Sequence, residues 1–239
     1  MNLPHRPALL GLLLLLIAPV AIANQDLSLT QLGHEDPAVR QATERALMLQ
    51  ADLPDDQIAS AFGQSDDVEV HHRLLRIAQH HFIRRQAEQL PAGREGAIGV
   101  ITDIVRPISG ESERTGAVLV VQTFPGFPGH VHFQLGDLIL AVNGKTLTGT
   151  RSVTHFSQTV RAHDPGETIT FTINRDGQTR DIDVTLSSVN RLENSYQLEN
   201  GVVRLLAPLE RLWQHQRKKI VPESSEEPLN PEDYNPTDR

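Results

Sequence analysis

The sequence predicts an α+β protein, in which a helical N-terminal module precedes a small β-rich domain and a further helix follows that domain. Apolar residues recur at helical spacing over residues 27–90 and alternate at strand spacing over residues 94–188. Residues 202–220 return to helical spacing, and a proline-rich, acidic stretch follows them. The predicted segments are 1–23, 24–93, 94–188, 189–221 and 222–239.

Composition excludes several classes of function. The 239-residue chain contains no cysteine, so disulfide scaffolds, thiolate metal sites and cysteine nucleophiles are ruled out. Its 22 Lys and Arg residues against 30 Asp and Glu residues give a net charge of −8, which is unfavourable for binding a polyanion. We therefore expect no nucleic-acid partner.

The first 23 residues have the pattern of a signal peptide. Arg6 precedes a leucine-rich run from Leu9 to Ile17, and the small residues Ala21 and Ala23 fit a cleavage site. The apolar stretch from Leu9 to Ala23, about 15 residues, is shorter than the roughly 20 that a membrane-spanning helix needs. We expect a protein that is cleaved near Ala23 and exported to the periplasm or secreted, with no membrane span in the mature chain.

Three helices are predicted in the N-terminal module. Asp36 is placed to cap the first helix, and Pro37 occupies its first position, where a missing N–H costs nothing. The other two helices are predicted at Pro54–Phe62 and Val68–Phe82.

The stretches that begin at Glu35 and Asp66 are weakly alike, which resembles a pair of HEAT-like helical repeats. Two such repeats bury too little surface to be stable alone. We therefore expect this module to pack on the next domain or on a partner.

The β-rich segment contains strand-like runs separated by turn signals. The dipeptides Asn143-Gly144 and Asp176-Gly177 predict tight hairpins, and Ile169, Phe171 and Ile173 alternate with polar residues as on a half-buried strand. The other predicted strands are Ile98–Val105, Gly116–Val121, Asp137–Lys145 and a return strand on which Ile182, Val184 and Leu186 alternate with polar residues. With a helix predicted at Ser152–Ala162, these five strands predict a small, partly open β-barrel or sandwich.

Three stretches of this segment resemble PDZ domains. Leu135–Lys145, which contains Gly-Asp-Leu-Ile-Leu-Ala-Val-Asn-Gly, is similar to the most recognisable stretch of that family. Gly96–Val100 resembles the family's carboxylate-binding loop, and residues 165–177 resemble its closing hairpin. Their order is similar to the bacterial, HtrA-type arrangement, but residues 24–93 are too short and too helical to be a serine protease domain.

The resemblance implies a peptide-binding groove. An extended peptide would add a strand to an open sheet edge beside a helix, and backbone N–H groups of the loop would hold its terminal carboxylate. The implied site residues are Gly96, Ala97, Ile98, Gly99 and Val100 of the loop and His155, Phe156, Thr159 and Val160 of the helix. His155 is expected to face the peptide and to select a Ser or Thr two residues before its C-terminus.

No catalytic centre, metal site or cofactor is predicted. The sequence has no G-x-S-x-G or G-x-S-G-G setting for a nucleophile. The third predicted helix carries two histidine pairs, His71-His72 and His80-His81. The two pairs are separated by eight to ten residues, whereas two metal ligands on one helix need an i,i+4 spacing. We therefore expect these four side chains to be solvated at the surface. A weaker alternative is a metal site at His130-Val131-His132.

Two functions remain open from the sequence. The first is an exported, non-enzymatic adaptor that captures C-terminal or extended peptide segments of another exported protein, of which a regulatory subunit for a separate envelope protease is a variant. The second is a structural scaffold that makes its contacts through the helical segments, including a C-terminal helix predicted at Val202–Ile220, while the groove stays idle. The acidic tail, 222–239, is expected to be disordered.

Overall fold

The computed structural model describes residues 29–51, 53–105, 116–199 and 202–221. The expected signal peptide, 1–23, and the expected acidic tail, 222–239, lie outside these residues. None of the described helices is long and apolar enough to cross a membrane. After a 3₁₀ turn at Leu29–Gly33, the helices are α1 (Pro37–Leu49), α2 (Asp55–Gly63), α3 (Val68–Glu88), α4 (Pro128–His132), α5 (Ser152–Arg161), α6 (Val189–Glu193) and α7 (Ala207–Ile220).

The three helices predicted in the N-terminal module are all present. Asp36 caps α1 by accepting a hydrogen bond from the backbone N–H of Ala38 at 2.8 Å, as its position predicted. The third helix, α3, runs six residues beyond its predicted end because residues 83–88 contain no helix breaker. The first proline after it is Pro91, where the helix has already ended.

Antiparallel strands form most of the β-rich domain. The main sheet has the order β2-β3-β4-β6-β7, with β5 beside β4, while β1 pairs with β8 and β9 with β10. The strands in the described residues are β1 (Gly96–Ala97), β2 (Val100–Ile104), β3 (Val118–Thr123), β4 (Leu138–Val142), β5 (Lys145–Thr146), β6 (Thr168–Arg175), β7 (Gln178–Thr185), β8 (Ser187–Ser188), β9 (Tyr196–Glu199) and β10 (Val202–Leu205).

The predicted hairpins form at the predicted residues. Asn143 and Asp176 have positive φ angles of 47° and 53°, and each precedes a glycine that also has a positive φ. This is the backbone that a two-residue turn of type I′ requires. On β6 the side chains of Ile169, Phe171 and Ile173 are buried, as the alternation predicted.

The described residues form two apolar cores. One lies between the sheet and α5 and includes Ile139 and Phe171. The other lies among α1, α2, α3 and α7, and it also takes in Phe124, Phe127 and Val131 from the β3–α4 region of the β-rich domain. The helical module therefore packs on the β-rich domain, as expected from its small size.

The prediction of one helix from Val202 to Ile220 is wrong in its first turn. Val202–Leu205 is strand β10, which pairs with β9 in a hairpin, and α7 begins only at Ala207 with Pro208 in its first turn. Leu212 on α7 is 52% exposed. Trp213 is buried and its ring lies 5.6 Å from that of Phe82 on α3, so α7 closes the helical core.

The expectation that the α3 histidines are solvated is wrong for two of them. His80 and His81 are 2% and 0% exposed. Each has a polar partner that compensates for burial. The backbone N–H of Gly126 donates to His80 Nδ1 at 3.0 Å, and His81 Nε2 lies 2.9 Å from the carbonyl oxygen of Leu47.

Candidate peptide-binding groove

A groove lies between β2 and α5. Among the described strands, β2 pairs only with β3, so its other edge is open, and α5 contacts both β1 and β2. An unpaired strand edge offers backbone donors and acceptors to an extended chain. A cavity of about 160 Å³ occupies the end of the groove next to β1. Its lining comes from the predicted loop, from β2, from α5 and from α6: Gly96, Ala97, Ile98, Gly99, Val100, Thr102, Phe156, Ser157, Val160, Arg161, Val189, Leu192 and Glu193.

The loop turns the carbonyl groups of Ile98 and Gly99 towards the protein. The carbonyl oxygens of Ile98 and Gly99 accept hydrogen bonds from Gly129 and Phe124 at 2.6 and 3.0 Å. In a trans peptide the carbonyl of one residue and the N–H of the next point in opposite directions. The N–H of Gly99 therefore points away from Gly129.

Two donors of this loop lack an acceptor within the described chain. No described residue accepts a hydrogen bond from the N–H of Ile98 or Gly99. Ile98 is only 3% exposed as a residue, although it borders the cavity. Covered backbone donors are nearly always paired in folded proteins, so these two groups are available to an acceptor that enters the cavity.

The two glycines of the loop are required by the protein's own packing. A Cβ on Gly99 would lie 2.4 Å from Cβ of Phe127, and Gly99 has a φ of +71°. A Cβ on Gly96 would lie 2.8 Å from the carbonyl oxygens of His163 and Val160. Close approach to neighbouring residues, rather than to a ligand alone, explains why these positions are glycine.

The face of α5 that borders the cavity differs in part from the predicted one. Phe156 and Val160 line it as expected, but His155 is exposed and Thr159 is half-buried, and neither lines the cavity. Ser157 and Arg161 take those places. The expected contact between His155 and a ligand hydroxyl is therefore not supported by the position of this side chain.

One cation and two carboxylates lie at the rim of the cavity. Arg161 Nη1 donates to Glu95 Oε2 at 2.8 Å, and its Nη2 lies 3.8 Å from Glu193 Oε1, which is too long for a hydrogen bond. The three side chains are 48%, 55% and 67% exposed, so solvent screens these pairs. Arg94, which precedes the loop, is exposed and does not line the cavity.

A second, larger cavity of about 490 Å³ lies between the helical module and the β-rich domain. His80 and Phe127 lie on one side of it, and Thr185 and Arg191 on another. Burial lowers the pKa of the adjoining His132. Within the described residues, no three His, Asp or Glu side chains lie close enough together to hold a metal ion.

The comparison with protein families places the groove in a known class. The family model for the PDZ domain matches residues 96–186, and this part of the chain is a PDZ domain, as its motifs predicted. PDZ domains are peptide-binding domains, and the groove supports peptide binding in general. No curated protein matches the chain significantly.

Solved structures resemble the chain over this domain. They include an HtrA-type protease, AlgW, with a decapeptide (19% identity, 49% of this chain, 33% of that chain, TM-score 0.34). A serine endoprotease from Yersinia pestis is 24% identical over 40% of this chain and 30% of that chain, with a TM-score of 0.32. The HtrA3 PDZ domain bound to the phage-derived ligand FGRWV is 20% identical over 39% of this chain and 84% of that chain, with a TM-score of 0.29. This chain thus spans about a third of the length of the two proteases.

Proposed function

We propose that this protein is an exported, non-enzymatic adaptor that holds a C-terminal or extended peptide segment of another exported protein in the groove between β2 and α5. The observation that carries the proposal is the open edge of β2 beside a loop whose Ile98 and Gly99 N–H groups have no acceptor among the described residues. Export is inferred from the signal-peptide pattern that ends near Ala23.

The ligand would bind as an added strand. Its main chain would hydrogen-bond to β2, and its terminal or central apolar side chain would enter the cavity between Ile98 and Phe156. A volume of about 160 Å³ accommodates one aliphatic side chain rather than a cofactor-sized molecule, because such molecules occupy about 300–1,000 Å³.

A binding role without catalysis fits both the family and the sequence. The matched domain is non-catalytic. The sequence has no recognisable nucleophile motif. The cavity in the groove is lined mainly by apolar side chains, and its charged lining residues are Arg161 and Glu193, which is a recognition surface rather than an acid–base pair.

A peptide library tests the proposal. The purified full chain is screened against random heptapeptides with free carboxyl ends and against cyclic peptides that have none, and Kd values of selected peptides are measured by fluorescence anisotropy. Ser157 is exposed and lines the cavity, so Ser157→Trp should fill the groove without disturbing the core. His155→Trp, on the same helix but outside the cavity, is the matched control.

We expect peptide affinity to fall at least about tenfold in Ser157→Trp and to stay within about twofold in His155→Trp, because a filled cavity excludes the anchoring side chain. Equal binding by both variants, or no binding by the wild type, contradicts the proposal.

A scaffold that binds through its helices is the second candidate. Large apolar side chains are exposed at Leu49 on α1, Val68 on α3 and Leu212 on α7. If no peptide binds in the groove, replacing these residues by serine should abolish association with the partner. If a peptide does bind there, the same replacements should leave its Kd unchanged.

A further inference from the structure

Helix α6 forms a third wall of the groove and lies outside the matched PDZ segment, which ends at residue 186. Val189 and Leu192 of this helix face the cavity together with Glu193. The side of the cavity next to β1 is thereby built by residues that follow the PDZ domain along the chain.

This wall is held firmly against the helical module. Ser188 caps α6 by accepting from the N–H of Arg191 at 3.1 Å. The side chain of Arg191 donates to the carbonyl oxygen of Leu90 at 3.1 Å, and that of Asn190 donates to the carbonyl oxygen of Pro91 at 2.6 Å. Since these acceptors lie just beyond the end of α3, α6 and Glu193 keep a fixed position relative to the groove.

The guanidinium of Arg161 has unused donor capacity at this wall. Its Nη1 is bonded to Glu95, but no described residue accepts a hydrogen bond from its Nη2. Glu193 lies near that nitrogen at 3.8 Å and attracts it without a hydrogen bond. A guanidinium binds a carboxylate best through two parallel hydrogen bonds. A carboxylate that is placed better than that of Glu193 can therefore accept a hydrogen bond from Nη2.

A ligand carboxylate would reach the same place. Gly99 and Arg161 line one small cavity. The backbone N–H of Gly96 donates to the carbonyl oxygen of His163, which joins the loop to the end of α5. An acceptor held by the loop would therefore lie beside Arg161 and would meet the negative charge of Glu193.

We propose that Arg161 pairs with the terminal carboxylate of the peptide ligand and that Glu193 of α6 competes with that carboxylate for the guanidinium. This inference rests on the proposed function. It makes α6, a segment outside the PDZ match, a specificity determinant that sets how strongly the groove distinguishes a free chain end from an internal segment.

The test compares two forms of one peptide. The tightest linear heptapeptide from the library is prepared as the free acid and as the C-terminal amide, and both are titrated against the purified full chain and its variants. Arg161→Gln should weaken the free acid about tenfold and the amide less than about twofold, since only the acid presents an anion to the guanidinium.

Glu193→Gln should act in the opposite direction. Removing the competing carboxylate should strengthen binding of the free acid about threefold and leave the amide unchanged, because an exposed charge pair makes a modest contribution. Both effects should shrink in 1 M salt. The matched controls change the same charges elsewhere: Arg151→Gln at the other end of α5 and Glu199→Gln on β9, both exposed and outside the cavity.

The outcomes separate the two proposals. If the wild type binds neither form of any peptide, both the proposed function and this inference are contradicted. If the wild type binds the free acid but Arg161→Gln weakens acid and amide equally, or changes neither, only the inference is overturned. A Glu193→Gln variant that binds the free acid more weakly than the wild type overturns the competition between Glu193 and the ligand.

Discussion

Acidification from pH 7 to pH 5 should destabilise the folded protein by several kcal/mol, because the buried His80 and His81 and the half-buried His130 lie where α3 meets α1 and α4. The rings of His80 and His130 stack with their centroids 5.6 Å apart. The N–H of Gly126 donates to His80 Nδ1 at 3.0 Å, so this nitrogen must carry no proton in the folded state. His130 Nδ1 lies 2.9 Å from the hydroxyl oxygen of Thr123, and His81 Nδ1 lies 3.0 Å from the guanidinium of Arg84.

The surroundings lower the pKa of all three side chains. Burial is the main cause for His80, and together with the charges of His130, His81 and Arg84 it lowers the pKa from 6.5 to about 2. Burial, followed by the charge of Arg84, lowers the pKa of His81 to about 4. Burial lowers the pKa of His130 to about 4 in spite of the nearby carboxylate of Glu44, and Arg76 adds to the lowering.

The sign and the size of the effect follow from these pKa values. In the unfolded chain each histidine has a pKa near 6.5, so the unfolded state binds more protons than the folded state below that pH. Stability is therefore complete above about pH 7 and is lost as the pH falls from about 6.5 towards 4. Between pH 7 and pH 5 each such histidine removes about 2 kcal/mol. Three of them remove about 5–6 kcal/mol, which is a large share of the roughly 5–15 kcal/mol of a typical domain.

Urea unfolding at pH 7 and at pH 5 measures this loss. The chain contains one tryptophan, Trp213, which is buried in the helical core, so its fluorescence reports unfolding of that core directly. The variant His80→Asn keeps an oxygen near the Gly126 N–H and cannot be protonated in this range. Its free energy of unfolding should be lower at pH 7, but it should fall by about 2 kcal/mol less than that of the wild type on going to pH 5.

A control variant identifies the source of the pH effect. His155 is exposed, so His155→Gln should lose as much stability as the wild type between the two pH values. The reasoning is refuted if the wild type is equally stable at pH 7 and pH 5, or if His80→Asn loses as much stability as the wild type.

Three substitutions test the packing that positions the groove. Ile139→Ala should lower the free energy of unfolding by about 2–5 kcal/mol, because the side chain is fully buried in the sheet core; resistance to urea equal to the wild type would contradict this. Asp137→Asn should cost about 3–5 kcal/mol, because it leaves the buried guanidinium of Arg175 without its bidentate partner at 2.6 and 2.7 Å, and adding Arg175→Met should recover part of the loss. Gly99→Ala should destabilise the protein more than Gly149→Ala, by at least about 1 kcal/mol, since both have positive φ but only the first meets a neighbouring atom within 4 Å; equal thermal shifts would show that the loop can move aside.

Sequence reasoning succeeded where the signal is local. The cap at Asp36 and the turns at Asn143-Gly144 and Asp176-Gly177 each depend on two or three consecutive residues. The helix predicted at Val202–Leu205 was wrong because these residues form a strand. A strand of four residues is defined by its pairing with Tyr196–Glu199 and not by the spacing of its own apolar residues. The sequence did contain one usable signal, since Pro208 is favoured in the first turn of a helix and disfavoured in its interior.

The helix face of the groove could not be chosen from the sequence. The apolar stripe of α5 contains Phe156 and Val160, and at 100° per residue it has two flanks, with His155 and Thr159 on one side and Ser157 on the other. Both flanks are polar, so the pattern that predicts the helix does not distinguish between them. Only the position of β2 and α6 relative to the stripe decides which flank borders the groove, and that position depends on residues distant in sequence.

The burial of His80 and His81 could not be predicted from the sequence either. His80 and His81 lie on a helix whose other residues include many charges, and a polar helix face is typical of solvent exposure. Their burial depends on acceptors and donors from other segments, the carbonyl of Leu47 and the N–H of Gly126. No pattern within residues 68–88 encodes those partners.

The chain that follows the PDZ domain contacts both the groove and the helical module. Residues 189–193 wall the cavity, and α7 closes the helical core around Trp213. That core also covers Phe124 and Phe127, which belong to the PDZ domain. A fragment limited to residues 94–188 would expose these two aromatic side chains and lose the wall formed by α6. Peptide affinities measured on such a fragment would therefore describe a different cavity, in which Arg161 has no competing carboxylate from Glu193, and the full chain is the form in which specificity has to be measured.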